Sequence, residues 1–352
     1  MKKIRIKICE FGRKDDALQN HFIYKILKKY YDVEFSEHPE YLFYNESSYE
    51  HLKYNCIKIF YTGENIHPNF NLCDYAVGYD YINFGDRYYR LPVYLFVVFN
   101  QAEELARGID TDFTKTELFT KQDLLKKTEF CSFTYSNYLA DETRQVFFDK
   151  LNKYKKINSG GKYLNNVGGR VKNKLEFEEK HKFVITFENS CNIGYTTDRL
   201  PAALAAKTIP IFWGNPEIGR EFNEKRFINC HNYKNLDEVV ERVKEIDKND
   251  DLYLSVINEP VTVPSYNFAE ARKGFEEFLK HIIDQPLSSA RRRNINPAKA
   301  REFERCEMAA AKYVKRQAMI QKVLAKIYQP FKKIKFFENL KYRYFRNKNL
   351  KK

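Results

Sequence analysis

Lys182-Phe-Val-Ile-Thr-Phe-Glu-Asn-Ser190, continued by Gly194-Tyr-Thr-Thr-Asp-Arg-Leu-Pro201 and Thr208-Ile-Pro-Ile-Phe-Trp-Gly214, reads as strand, polar loop, helix start and strand. The first strand run is apolar and aromatic. The loop gathers Glu188, Asn189, Tyr195 and Arg199 next to the helix start. A helix N-terminus beside a cation suits a phosphate, because unpaired N–H groups and the macrodipole both favour negative charge. In an open α/β sheet that crevice is where ligands sit. The stretch therefore points to a phosphate-bearing, nucleotide-linked ligand. A plainer reading also fits the residues: Thr197 caps, Asp198 favours the dipole, Arg199 lies in solvent and Pro201 is tolerated in the first turn.

Outward from this stretch, strands and helices alternate. Lys3 to Phe11 reads as a strand and Ala17 to Tyr31 as an amphipathic helix, with Leu18, Phe22, Ile26 and Tyr30 on one face. Val33 to Phe35, Lys58 to Thr62 and Asp74 to Gly78 read as strands. A second unit opens with a strand over Phe130 to Ser136. A helix follows over Glu142 to Leu151, with Val146, Phe147 and Leu151 inward. Phe227 to Cys230 and Asn235 to Ile246 supply one more strand and helix. This alternation predicts parallel sheets with right-handed crossovers. The polar stretch from Ala102 to Gln122 reads as a connection between two domains, for which 352 residues suffice.

Composition narrows the function classes. The net charge of +14 is concentrated at one end: Pro286 to Lys352 holds 20 Lys/Arg against 4 Asp/Glu, which leaves 41 against 43 elsewhere. A near-neutral body argues against a nucleic-acid channel. The seven cysteines are odd in number and lack a Cys-x-x-Cys, as expected for a reducing compartment rather than a disulfide framework or zinc ribbon. The N-terminus alternates charged and apolar residues and lacks the apolar run of a signal peptide. No run is long enough to span a membrane.

Three further positions carry chemistry. Arg144, two residues into its helix, would form a second cationic helix start and complete a clamp on a diphosphate, or else face solvent. Glu64, in Tyr61-Thr-Gly-Glu-Asn-Ile-His-Pro68, follows a strand end and suits a general base, with His67 as competitor. Asp110-Thr-Asp112 imitates an Asp-x-Asp metal motif but falls in the irregular connection. No other spacing suggests a metal, and no Walker or dinucleotide glycine motif is present.

Together these segments resemble glycosyltransferase family 10, the α-1,3/1,4-fucosyltransferases, and in particular its bacterial branch. The matching stretches are Phe60-Tyr-Thr-Gly-Glu-Asn-Ile-His-Pro-Asn-Phe70, Asp74 to Asp80, Asp86-Arg-Tyr-Tyr-Arg-Leu-Pro92, Ser136-Asn137 to Arg144, Phe187-Glu-Asn-Ser190, Gly194-Tyr195, Ile209 to Gly214, Arg226-Phe-Ile-Asn229 and Asn258-Glu-Pro260. The resemblance implies an α/β GT-B architecture, with two Rossmann-like domains facing a cleft. It divides the chain into an acceptor domain over 1–125, a donor domain over 126–285 and a basic helical tail over 286–352. It implies inverting transfer of L-fucose from GDP-fucose to an oligosaccharide acceptor, as in Lewis-type decoration of lipopolysaccharide, with no metal or other cofactor in the chemistry and no nucleic-acid partner. By position Glu64 is the base. Arg144, Glu188, Asn189, Tyr195 and Arg199 hold the donor, and Asp198 contacts its hydroxyls. The family pattern has Glu-Lys where this chain has Asp198-Arg199, which leaves open a transferase for another nucleotide sugar. A silent glycan-binding protein on the same fold is a further alternative. Arg291-Arg-Arg293 and Lys332-Lys-Ile-Lys-Phe-Phe337 resemble a peripheral anchor for an anionic membrane. A solvated helix packed back on the body is the competing reading. The expected location is cytoplasmic, peripheral on the inner membrane face.

Overall fold

The computed structural model describes residues 1–10, 18–95, 118–293 and 296–328. Most of the 102–122 connection, including Asp110 and Asp112, and the tail basic cluster at 332–337 lie outside these residues.

Two all-parallel sheets organise the chain. In the first, β1 (Lys3–Cys9), β2 (Asp32–Phe35), β3 (Tyr41–Tyr44), β4 (Ile57–Tyr61), β5 (Tyr75–Gly78) and β6 (Tyr88–Arg90) run in the order β2-β1-β3-β4-β5-β6. In the second, β7 (Glu129–Phe133), β8 (Ile157–Ser159), β9 (His181–Phe187), β10 (Ile209–Trp213) and β11 (Ile228–Asn229) run in the order β11-β10-β9-β7-β8. Both orders reverse direction once, at β1/β3 and at β7/β9. Parallel sheets of this kind bind ligands outside the carboxyl ends of the strands that flank such a reversal. Those ends carry Glu10 and Glu46 in the first sheet, and Tyr135 and Glu188 in the second.

Pattern reading missed β3, β6 and β8, and β3 shows why. Its four residues, Tyr-Leu-Phe-Tyr, are all buried, so no alternation marks them, and it pairs with both β1 and β4. Two inward assignments also fail. In α3 (Thr143–Asn152) Phe147 and Leu151 are buried but Val146 is exposed, while Tyr30 lies beyond the end of α1 (Phe22–Lys28) and faces solvent.

The second sheet is covered by α3, α6 (Leu236–Lys248) and α7 (Asp250–Ile257) around Phe133, Phe147, Phe187 and Val243. The first sheet is covered on one face by α1 and, less expectedly, by α8 (Phe268–Asp284). Asn267 caps α8 by accepting from the N–H groups of Ala269 and Glu270. Its buried side, Phe275, Phe278, Leu279, Ile282 and Ile283, packs against Phe22, Tyr75 and Tyr89. The segment 268–284 thus crosses back to the sheet formed by the N-terminal part. The same core continues through Leu200, Leu204 and Phe212, so the two sheets share apolar contact.

The arginines at 291–293 do not form a free basic patch. Arg293 is buried and ion-paired with the fully buried Asp74, whose carboxylate also accepts from the backbone N–H groups of Lys58, Arg292 and Arg293. Arg292 forks onto Asp86 at 2.8 and 3.1 Å, and Arg291 donates to Asn55 at 2.8 Å. For these three residues the competing reading, packing back on the body, therefore holds. Beyond them α10 (Pro297–Tyr328) is a single helix. Among the described residues no helix is long and apolar enough to cross a membrane. All seven cysteines are free thiols.

Candidate active site

The loop that follows β4 meets the loop that follows β9, and the candidate residues collect at this junction. Asn189 Nδ2 lies 3.4 Å from Glu64 Oε2 across the divide. Asn65 Nδ2 donates to Ser190 Oγ at 2.7 Å, and Asn192 Nδ2 donates to Asn65 Oδ1 at 3.0 Å. Tyr79, beyond β5, donates its hydroxyl to the same Asn65 oxygen. Gly194 has φ +81°, and a Cβ there would stand 2.5 Å from the Tyr79 carbonyl oxygen. Only glycine permits that backbone so close to the first sheet. Sequence reasoning quoted Asn65 within the Phe60–Phe70 stretch but gave it no role; a loop polar group shows its role only when its distant partners are known.

On the first-sheet side the strand ends are acidic. Glu10 accepts from the Tyr61 hydroxyl and lies 3.3 Å from Nε2 of the buried His21. Glu46 accepts from Thr62 at 2.9 Å. Its carboxyl is pushed up by lost hydration, with the charges of Glu64 and Glu10 adding to the effect. Glu64 itself is exposed, held in its turn by a 3.0 Å bond from its backbone N–H to Thr62 Oγ1. His67, the competing base, turns Nδ1 to Asp80 at 2.9 Å and has Nε2 3.5 Å from Asn192.

On the second-sheet side the groups are cationic. The Tyr135 ring, just beyond β7, has the Arg144 guanidinium 4.0 Å and the Arg199 guanidinium 5.6 Å from its centroid. Arg144 is 2% exposed, so the solvent-facing alternative fails. It donates to the carbonyls of Phe187 at 3.1 Å and Asn137 at 3.4 Å, while its Nε has no partner among the described residues. Burial pulls its pKa down, and the neighbouring Arg199 charge pulls the same way. An anion beside both arginines would relieve that strain.

Arg199 opens α5 (Arg199–Ala205), which is only seven residues long. The guanidinium groups therefore carry more of the positive potential than a helix dipole would. Thr197 does not cap this helix: Asp198 occupies the cap position and its side chain makes no capping bond. Thr197 serves Glu188 instead. Glu188 is fully buried, accepts from Thr197 N at 2.8 Å and Oγ1 at 2.9 Å, and is ion-paired with Arg199. Burial pushes the Glu188 carboxyl up, with Arg199 opposing. The structure therefore places Glu188 beneath Arg199, as the group that orients it. Tyr195 is 1% exposed and stacks edge-on against Tyr79 at 5.0 Å. Burial, then the charges of Glu188 and Glu64, raise its hydroxyl pKa, so this one group senses both sides of the junction. Among the described residues no His, Cys, Asp and Glu groups are arranged to hold a metal.

Comparison with known proteins follows the same division. Residues 6–97 match the model of the alpha-(1,3)-fucosyltransferase FucT N-terminal domain. Residues 124–258 match the glycosyltransferase family 10 (fucosyltransferase) C-terminal model. Alpha-(1,3)-fucosyltransferase FucT of Helicobacter pylori is 34% identical over 274 residues, 68% of this chain and 56% of the relative. The chain thus spans little more than half of that protein. A putative fucosyltransferase, R654, of Acanthamoeba polyphaga mimivirus is 30% identical over 186 residues, 49% of this chain and 29% of the relative. Among solved structures, an α1,3-fucosyltransferase with GDP superposes with a TM-score of 0.65 at 29% identity, covering 79% of this chain and 91% of that one. An α1,3-fucosyltransferase with GDP-fucose gives a TM-score of 0.63, covering 80% and 91%.

Proposed function

Because this chain belongs to glycosyltransferase family 10 and has its GT-B fold, we propose that it is an inverting α-1,3-fucosyltransferase. It moves L-fucose from GDP-fucose to a hydroxyl of an N-acetylglucosamine- or glucose-containing glycan. The observation that carries this reading is the 3.4 Å approach of Asn189 to Glu64, with Glu188, the residue before Asn189, ion-paired to Arg199. In this reading the exposed Glu64 carboxylate and the two guanidinium groups serve one cleft.

In this reading the acceptor oxygen bonds to fucose C1 as the bond from C1 to the diphosphate oxygen breaks. GDP leaves with the electron pair, the acceptor proton passes to Glu64, and the anomeric centre inverts. Negative charge grows on the diphosphate, so groups fixed beforehand help more in the transition state than in the ground state. Arg144 and Arg199 are fixed in this way, the first by carbonyls and the Tyr135 ring, the second by Glu188 and Thr197. They supply the charge stabilisation without a metal in the chemistry. Asn189 and Tyr195 border the reacting centre, and Asp198 takes donor hydroxyls. The setting is decoration of a lipopolysaccharide-type glycan on the cytoplasmic face of a membrane, approached through the basic tail.

Incubation with GDP-fucose and N-acetyllactosamine followed by mass spectrometry tests the proposal: the acceptor gains one deoxyhexose. Asp198-Arg199, a pair shorter in its carboxylate and forked in its cation, favours a second reading with another nucleotide sugar. Transfer from a different donor, and none from GDP-fucose, would replace the first reading with the second.

A further inference from the structure

Beside the two arginines lies a cavity of about 200 Å³ lined by Thr134, Lys174, Glu178, Thr186, Asp198 and Arg199, with Tyr135, Val184 and Ile185 as its apolar part. Nothing in the transfer chemistry uses Lys174 or Glu178. Both belong to α4 (Lys174–Glu178), one turn apart and so on the same side of it. Lys174 Nζ stands 3.7 Å from Glu178 Oε1, which also accepts from Thr134 Oγ1 at 2.6 Å. Glu178 is 1% exposed, and its second oxygen, Oε2, has no hydrogen-bond partner among the described residues. A buried carboxylate with one oxygen satisfied and the other not is a costly arrangement unless a ligand donates to it.

We propose that Lys174 and Glu178 read the nucleobase of the donor and select guanine, an inference that rests on the sugar-nucleotide reading above. The pair offers a donor beside an acceptor. Guanine presents the complement on one edge: the O6 acceptor for Lys174, then the N1–H and 2-amino donors for Glu178. Uracil places its one N–H between two carbonyls, so a carbonyl would face the carboxylate. Cytosine and adenine each present one donor group followed by a ring-nitrogen acceptor on that edge. The cavity shares Arg199 with the phosphate side, so base and diphosphate are held from one continuous surface. A site built to bond a substrate N–H rejects analogues lacking it more strongly than an apolar pocket rejects a missing methylene.

Titration calorimetry with GDP, IDP and UDP tests this, since IDP lacks only the 2-amino group. The wild-type chain binds GDP about tenfold or more tighter than IDP, and UDP more weakly still. In Glu178→Gln, GDP affinity falls about tenfold or more and the GDP/IDP ratio collapses towards one. In Lys174→Met, GDP and IDP weaken together and their ratio stays, because both carry O6. A GDP/IDP preference that survives Glu178→Gln, or an equal loss for all three nucleotides, overturns the inference while leaving the transferase reading intact. Wild-type chain that binds UDP and not GDP overturns the donor assignment itself, and the base reading with it.

Discussion

The crests of the two sheets face one another with opposite chemistry. The first-sheet ends present Glu10, Glu46 and Glu64; the second-sheet ends present Arg144 and Arg199 around Tyr135. The fold is nearly the same on both sides, each a parallel sheet with one reversal of strand order. Architecture therefore supplies only the place, and the residues beyond each strand end decide whether a side takes protons or anions. The halves also differ in how they are closed. The second sheet keeps its own helices, whereas the first is completed by α8 and by Arg291–Arg293 from the far end of the chain.

The largest test of this contrast removes the acidic function alone. Glu64→Gln lowers the rate of transfer by about 10²- to 10⁴-fold, the usual contribution of a general base, with GDP affinity unchanged. Full transfer by this variant, measured by product formation at saturating donor, would mean that the first crest contributes no proton acceptor at Glu64.

Closure is tested next. Arg293→Ala leaves Asp74 buried and unpaired, and breaking a buried pair in this way costs about 3–5 kcal/mol. Urea unfolding is expected to show the loss. Hydrogen exchange should place it in β4 and β5, around Asp74 and its backbone partner Lys58, with the second sheet spared. Equal loss of protection in both sheets would remove the distinction between a strapped half and a self-contained one.

A pH test bears on the first sheet, with the buried His181 and His231 of the second sheet adding a slope of the same sign. His51 is buried against Tyr44, with ring centroids 4.0 Å apart, and burial lowers its pKa to about 4 from 6.5. Between these values the unfolded chain binds the proton and the folded chain does not, so stability falls as pH drops from 6.5 towards 4. The size is on the order of 2–3 kcal/mol. His51→Phe keeps a ring against Tyr44 and should reduce that slope in denaturant melts. An unchanged slope would assign the pH dependence elsewhere.

The smallest expected effect is on the cationic side. Arg199→Lys keeps a charge for Glu188 but loses the planar fork, so GDP binding weakens about tenfold by calorimetry with little change in stability. This variant is cleaner than Arg199→Ala, which would also leave Glu188 buried without its counter-ion. Unaltered GDP affinity would show that Arg199 serves Glu188 and not the ligand.

Much of this was legible in the residues. Glu64 and Arg199 stand beside Gly63 and Asp198, in polar breaks after apolar runs, and the strand–loop–helix rhythm marks those breaks as sheet ends. Glu188 was placed at the site, but its hold on Arg199 was not legible, because only the fold shows which way a carboxylate near an arginine faces. Tyr135 and Asn65 were given no role of their own: an aromatic in a strand run and an amide in a loop are ordinary until their partners at 144, 199, 190 and 192 are known. The two readings of Arg291–Arg293 stayed open for the same reason. A basic triplet looks solvated when its carboxylates are some 200 residues away, as Asp74 is.

The sequence by itself determined most of the strand segments, where polar loops interrupt them, and so many of the side chains at strand ends, because the spacing of apolar residues is a local property of a chain. Only the tertiary structure decided that the loops after β4 and β9 touch, that Glu188 faces inward, and that the C-terminal arginines close the N-terminal sheet. Those facts depend on pairing groups far apart in the chain, and no local pattern records the free energy of an ion pair or cleft until the fold brings its two sides together.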